Sequence, residues 1–155
     1  MGKVHHMNKS QRLNMGDEGM RNRKLIILTL ISFVLALAAA AREDKLTNTG
    51  TTPAAEGKVI TGNDRNGNTE VEIQVKHMAA PQSLTPPRQT YLVWVQPRGQ
   101  APELLGALRI NSDLEGSLKA STTYKDFDLL ITAEDQLHVD QPSSTVVLKG
   151  SVQRK

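Results

Sequence analysis

Five acids, Asp126, Asp128, Glu134, Asp135 and Asp140, crowd the C-terminal third of the chain. Asp126 and Asp128 stand two residues apart, which on a strand puts both carboxylates on one face. Paired carboxylates can carry general acid/base work. The competing reading is stronger: outward charges on a sheet keep its surface soluble and blunt its edges. No nucleophile elbow, phosphate loop or dinucleotide fingerprint accompanies the acids. Asp64-Arg65-Asn66-Gly67-Asn68 opens like a calcium loop. Such a loop needs a bidentate Glu at its twelfth position and flanking helices. The twelfth residue from Asp64 is Val75, so a hairpin turn with Asn66-Gly67 at positive φ is the better account. His77 and His138 are single histidines near strand ends, and His5-His6 sits in a segment too short to build a site. The chain contains no cysteine. These patterns predict no catalytic residue, no metal and no cofactor, hence a chain that is not an enzyme. Trp94, inside Tyr-Leu-Val-Trp-Val, could line a ligand groove, but a lone large aromatic in an apolar strand reads as a core anchor.

The elements that position these residues begin after a membrane-type segment. Residues 25–41 form an uncharged apolar run, Leu25–Ala41, directly after Arg21, Arg23 and Lys24. A basic flank, an apolar stretch and the Ala38-Ala39-Ala40 end describe a secretory signal peptide. The rival is an uncleaved anchor, a single N-terminal hydrophobic helix; the 17 residues lie at the lower limit for spanning a bilayer. The alanine tail favours cleavage. Residues 1–24 form the cytoplasmic n-region, long for a signal peptide. Met20 begins Met-Arg-Asn-Arg-Lys-Leu, an ordinary signal opening, and Gly16-Asp17-Glu18-Gly19 corresponds to a purine-rich stretch of ribosome-binding type, so the reading leans to a start at Met20.

Charge supports export and argues against nucleic acid. Of the 19 Lys and Arg, six lie in residues 1–24 beside two acids, while residues 42–155 hold 13 against 14 acids. The overall +3 belongs to the flank of the apolar run, where it retains the N-terminus in the cytoplasm. No basic stripe remains to neutralise phosphates. Without cysteine an exported domain has no disulfides and must rely on sheet packing.

Residues 42–56 are Thr-, Asn- and Ala-rich, without apolar periodicity, and read as a flexible linker. Residues 57–155 read as the folded domain. Strands are expected at 58–61, 69–78, 90–96, 103–110, 117–120, 126–133 and 144–153, separated by turn residues and by the Pro81, Pro86, Pro87 loop. Val71, Ile73 and Val75 alternate with polar residues, as do Phe127, Leu129 and Ile131, and Gly106 marks a bulge or close approach. About seven strands in such a length predict an all-β, immunoglobulin-like antiparallel β-sandwich.

The stretch from Thr90 to Val152 resembles the extracytoplasmic domain of anti-sigma-K factors. The features are Tyr91-x-Val93-Trp94-Val95, then Leu105-Gly106-Ala107-Leu108, Gly116-Ser117-Leu118, Phe127-x-Leu129-x-Ile131-Thr132-Ala133-Glu134, and Pro142-Ser143 leading to Val146-Val147-Leu148-x-Gly150. The resemblance implies a membrane-tethered β-sandwich on the outer side, whose signal leads to release of a cytoplasmic sigma factor. The family's cytoplasmic sigma-binding helical domain, often with a His/Cys zinc motif, has no counterpart in residues 1–24. The expectation is therefore a non-enzymatic extracytoplasmic interaction module with a protein partner, exported to the periplasmic side and either anchored in the inner membrane through Leu25–Ala41 or released. The alternative is an anchored component of anti-sigma signalling that acts through a partner holding the sigma factor.

Overall fold

The computed structural model describes residues 42–154. The n-region with His5, His6 and Met20, and the apolar run Leu25–Ala41, lie outside the described residues, as does Lys155. Eight strands follow in order: β1 Arg42–Asn48, β2 Glu56–Asn63, β3 Thr69–Lys76, β4 Thr90–Pro97, β5 Glu103–Leu108, β6 Gly116–Thr122, β7 Asp126–Glu134 and β8 Val146–Gln153. All seven expected strands are present within two or three residues of their expected ends. Among the described residues the only helical piece is a 3-10 turn at Pro81–Ser83.

Period-two patterning sets the strands. In β3, Thr69, Val71, Ile73 and Val75 are buried while the residues between them are half-buried. In β7, Phe127, Leu129, Ile131 and Ala133 enter the core between exposed Asp126 and Asp128. Turns close on their own side chains. Asn111 Oδ1 accepts the Asp113 and Glu115 amides at 3.0 and 2.9 Å, which shapes the β5–β6 connection. Opposite the start of β5 the register shifts between Val93 and Trp94, so Leu105 bulges, and the space a Cβ would fill at Gly106 lies 3.3 Å from the Leu118 side chain on β6. The bulge and the close approach expected of Gly106 are both realised.

The sheet is antiparallel throughout, in the order β5-β4-β7-β8-β1-β2-β3-β6. Its two edges, β5 and β6, come back beside each other through Leu118 over Gly106 and an Ile110–Gly116 bridge, so the sheet is nearly a barrel. An immunoglobulin-like sandwich separates its strands into two facing sheets. Here β2 turns back on itself as a hairpin with β3, and one continuous sheet of eight strands curls around a single core.

The eighth strand is the correction to the sequence reading. Residues 42–56 are not a flexible linker: Arg42–Asn48 is β1, in the middle of the sheet. Its first five residues pair with β2, Arg42 with Thr61 through Leu46 with Gly57, and its last two pair with β8, Thr47 with Lys149 and Asn48 with Leu148. The Thr- and Asn-rich continuation is held by its polar side chains. Asn48 Nδ2 donates to Thr52 O and Ala55 O at 2.7 and 2.8 Å, its Oδ1 accepts the Gly50 amide at 2.7 Å, and Thr51 Oγ1 donates to Val146 O at 3.0 Å. The composition that reads as a linker is here a set of backbone-capping groups.

Leu46 is the one apolar side chain of β1, and its burial depends on two glycines. A Cβ at Gly150 of β8 would lie 2.6 Å from Leu46 Cδ2, and one at Gly57 of β2 would lie 3.0 Å from Leu46 Cδ1 and 2.8 Å from Leu148 Cδ1. Glycine on both flanks makes the slot into which Leu46 drops. Around it the core is aliphatic: Val59, Val71, Ile73, Leu108, Leu129, Ile131, Val147 and Leu148 are sealed from solvent, with Tyr91 and Phe127 as its aromatics. The Tyr91 hydroxyl donates to Ala79 O at 2.8 Å, and burial pushes its pKa up to about 12. Among the described residues, every strand pair and the whole core lie within residues 42–153. A chain of residues 42–155 is therefore expected to give a β-rich circular dichroism spectrum and a single cooperative melt. A chain of residues 57–155, which lacks β1, leaves β2 and β8 with open edges and is expected to melt far lower or to aggregate. Equal melting of the two would show β1 to be dispensable.

Candidate functional site

The Asp64 loop is the hairpin turn between β2 and β3. Asp64 Oδ1 accepts the Asn66 and Asn68 amides, both at 2.8 Å, Oδ2 accepts Asn68 Nδ2 at 3.1 Å, and Gly67 takes φ 80°. Desolvation pushes the Asp64 carboxyl up. The bonds from the Asn68 amide, the Asn68 side chain, the Asn66 amide and Ser121 outweigh it and hold the pKa below the ordinary Asp value. Both carboxylate oxygens serve the turn.

The five clustered acids are dispersed by the fold. Asp126 and Asp128 lie on one exposed face at the start of β7, where Asp126 Oδ1 accepts the Arg154 amide at 3.1 Å. Glu134, Asp135 and Asp140 lie at the opposite end of the sheet. Glu134 is buried and accepts the Ser143 amide at 2.8 Å, pinning the β7–β8 loop, and Asp135 pairs with Arg88 at 2.8 Å. His77, exposed, leaves β3 with φ 53°, and His138 is exposed in the β7–β8 loop. Among the described residues no three His, Asp or Glu side chains converge as metal ligands.

Trp94 is buried, at 1 % exposure, but on the other side of β4 from where a core anchor belongs. Tyr91, Val93 and Val95 point into the core, whereas Leu92 and Trp94 fall outside that cluster. The indole Nε1–H donates to Thr132 Oγ1 at 2.9 Å, and both groups are sealed from solvent. The apolar alternation-free pattern of β4 signalled two-sided burial; it could not say which side would take the tryptophan.

What sequence reasoning did not find is the face formed by β1, β2, β3 and β6. A surface groove of about 580 Å³ is lined by Glu43, Lys45, Glu56 and Lys58 together with Gln74 and Lys76. A second, of about 420 Å³, shares Gln74 and Lys76 and adds Glu72, Arg109 and Glu115. The two form one polar trough with four carboxylates and four cations. Lys58–Glu43 at 3.0 Å and Lys76–Glu115 at 3.5 Å are its ion pairs, both exposed, and such pairs contribute little stability. The signal in the sequence was the polar half of each alternation, Glu70-x-Glu72-x-Gln74-x-Lys76, which carries no register information until the strands are paired.

A comparison with family models and with curated proteins finds no match. The chemistry of the trough is that of a patterned, electrically balanced surface on a rigid sheet.

Trp94→Ala is expected to destabilise the domain by about 3–5 kcal/mol, as large-to-small changes at buried aromatics do. Trp94→Phe keeps a ring but strands the Thr132 hydroxyl, at a cost of about 1–3 kcal/mol. Chemical denaturation checks both; a midpoint unmoved by Trp94→Ala would show that the indole packs against nothing.

Proposed function

We propose that residues 42–155 act as a non-enzymatic, extracytoplasmic interaction module delivered across a membrane behind Leu25–Ala41. The observation that carries this reading is the mixed-charge trough over β1, β2, β3 and β6. A balanced pattern of four carboxylates and four cations does not attract a polyanion. It discriminates among protein surfaces, because a mismatched partner meets like charges. Of the strands beneath it, β1, β2 and β3 have hydrogen-bonded neighbours on both edges, so the pattern is held at constant spacing.

A photo-crosslinking residue at Gln74, in the middle of the trough, is expected to give one discrete protein adduct in the exporting cell. The same residue at Asp128, on the β7 face, is expected to give none. Adducts of equal yield at both positions, or at neither, overturn the trough as the binding face.

The resemblance to anti-sigma-K outer domains supports the second reading, an anchored component of anti-sigma signalling. Stable specific interfaces bury roughly 800 Å² per partner, from about 20–30 residues. Residues 1–24 would have to supply nearly all of that on the cytoplasmic side, and Met1, Val4, Met7, Leu13 and Met15 keep no helical stripe. In this reading the chain works through a partner that holds the sigma factor. The full-length chain in detergent is accordingly expected not to bind purified sigma factor. Saturable binding that vanishes on removing residues 1–19 would reverse this. N-terminal sequencing of the exported protein separates an anchored signalling component from a released module.

A further inference from the structure

The ends of the barrel differ in charge. Strand directions put the start of β1, the end of β8 and the loops 64–68, 98–102 and 123–125 at one end. That end carries Arg42, Arg65, Arg98, Lys125 and Arg154 against Asp64, Glu103 and Asp126. At the other end, loops 49–55, 77–89, 109–115 and 135–145 carry Asp113, Glu115, Asp135 and Asp140 against Arg88 and Arg109, with Arg88 paired to Asp135 at 2.8 Å. Of the five cations at the basic end, only Arg42 has a carboxylate partner among the described residues, Asp44 at 3.2 Å.

Three of these cations share a cavity. Arg42, Arg98 and Arg154, with Asp126 and Gln153, line a space of about 390 Å³. The guanidiniums of Arg42 and Arg154 are already anchored, Arg42 Nη1 donating to Gln153 O at 2.8 Å and Arg154 Nη1 to Gly62 O. Each guanidinium has five N–H donors, so most remain available after these bonds. The one acid of the cavity, Asp126, has an oxygen engaged by the Arg154 amide at 3.1 Å. Three anchored or adjacent arginines around one space make a geometry that suits a phosphate.

Chain continuity says what lies nearby. β1 begins at Arg42, immediately after Ala41, the last residue of the apolar run, so no linker separates that run from the basic end. We propose that the Arg42–Arg98–Arg154 cavity and the cations around it hold this end of the domain on an anionic phospholipid surface by engaging headgroup phosphates. The proposal rests on the reading of Leu25–Ala41 as a membrane tether. Each cation near such a surface strengthens attachment about fivefold, an effect that fades within a Debye length and under salt. The acidic end points away from the lipid, and the trough runs along the side of the barrel between the two ends, open to a partner.

Because the chain has no cysteine, single probes can be placed at will. An environment-sensitive dye on Ala101→Cys in loop 98–102, or on Ser112→Cys at the far end, is read in the full chain reconstituted into vesicles that contain a quencher lipid. With phosphatidylglycerol present, quenching is expected at position 101 and not at 112, and it is expected to fall with salt and in phosphatidylcholine alone. Arg98→Gln, whose side chain makes no bond among the described residues, is expected to weaken quenching about fivefold. The triple Arg42→Gln, Arg98→Gln, Arg154→Gln change is expected to abolish it, with circular dichroism confirming the fold. Equal quenching at both positions, or quenching indifferent to lipid charge, overturns the proposal. So does its loss to free inorganic phosphate at constant ionic strength, which would mark a soluble-anion site. Retention through an alkaline wash reports the tether separately. If the chain washes away, the tether reading fails, and the dye response of the same chain added to preformed anionic vesicles still decides the basic end.

Discussion

The fold depends on how β1 is seated. This strand pairs with β2 over its first five residues and with β8 over its last two, so it joins the β2-β3-β6 side of the sheet to the β5-β4-β7-β8 side by ladder pairing. A strand that serves two sides must turn where it changes partner, and the residue at that turn is Leu46. Its side chain needs a slot, which Gly57 and Gly150 provide by having no Cβ where one would lie within 3.0 Å of the leucine methyls. Burying one leucine contributes roughly 1.5–3 kcal/mol. Here that burial also decides whether two half-sheets become one nearly closed barrel. The polar residues that follow, Thr49, Thr51 and Asn48, then lock the end of the strand to the β8 backbone and to the next turn.

Closure has consequences for what each face can do. The interior is filled by aliphatic side chains, with Tyr91 and Phe127 among them. The described grooves lie on the outside and at the ends. On the β1-β2-β3-β6 side the outward residues are long and charged, and neighbouring strands bring opposite signs together, as Lys119 with Glu70 at 2.9 Å shows. On the β4–β7 side the outward Leu92, Trp94 and Thr132 are instead buried, while Asp126 and Asp128 at the start of β7 are exposed. A single sheet thus presents two unlike faces, and its ends differ again in charge.

Much of this was legible along the chain. The strands β2 to β8 follow from alternation in Val71-x-Ile73-x-Val75 and Phe127-x-Leu129-x-Ile131, and from turn chemistry at Asp64–Asn68. These signals are local, since a pleated backbone exposes alternate residues whatever its neighbours are. The turn reading of Asp64 held for the same reason: its bonds reach no further than residues Asn66 and Asn68, apart from Ser121. The bulge at Gly106 was also foreseeable, because a glycine inside a strand pattern marks an irregular or close-packed position.

Sequence alone determined that the chain is all-β after an apolar run, where its strands and turns lie, and that its basicity sits before residue 25. Tertiary structure alone decided three things. It made residues 42–48 a strand, because Arg-Glu-Asp-Lys-Leu-Thr-Asn has one apolar residue and no alternation; its stability comes from two glycines more than ten residues away in sequence. It put Trp94 on the far side of β4, because a strand apolar on both faces gives no sign of which face meets the core. And it gathered Arg42, Arg98 and Arg154, which are scattered over more than a hundred positions, around one cavity. Pattern reports what a residue is next to along the chain; pairing register and chain closure decide what it meets across the sheet.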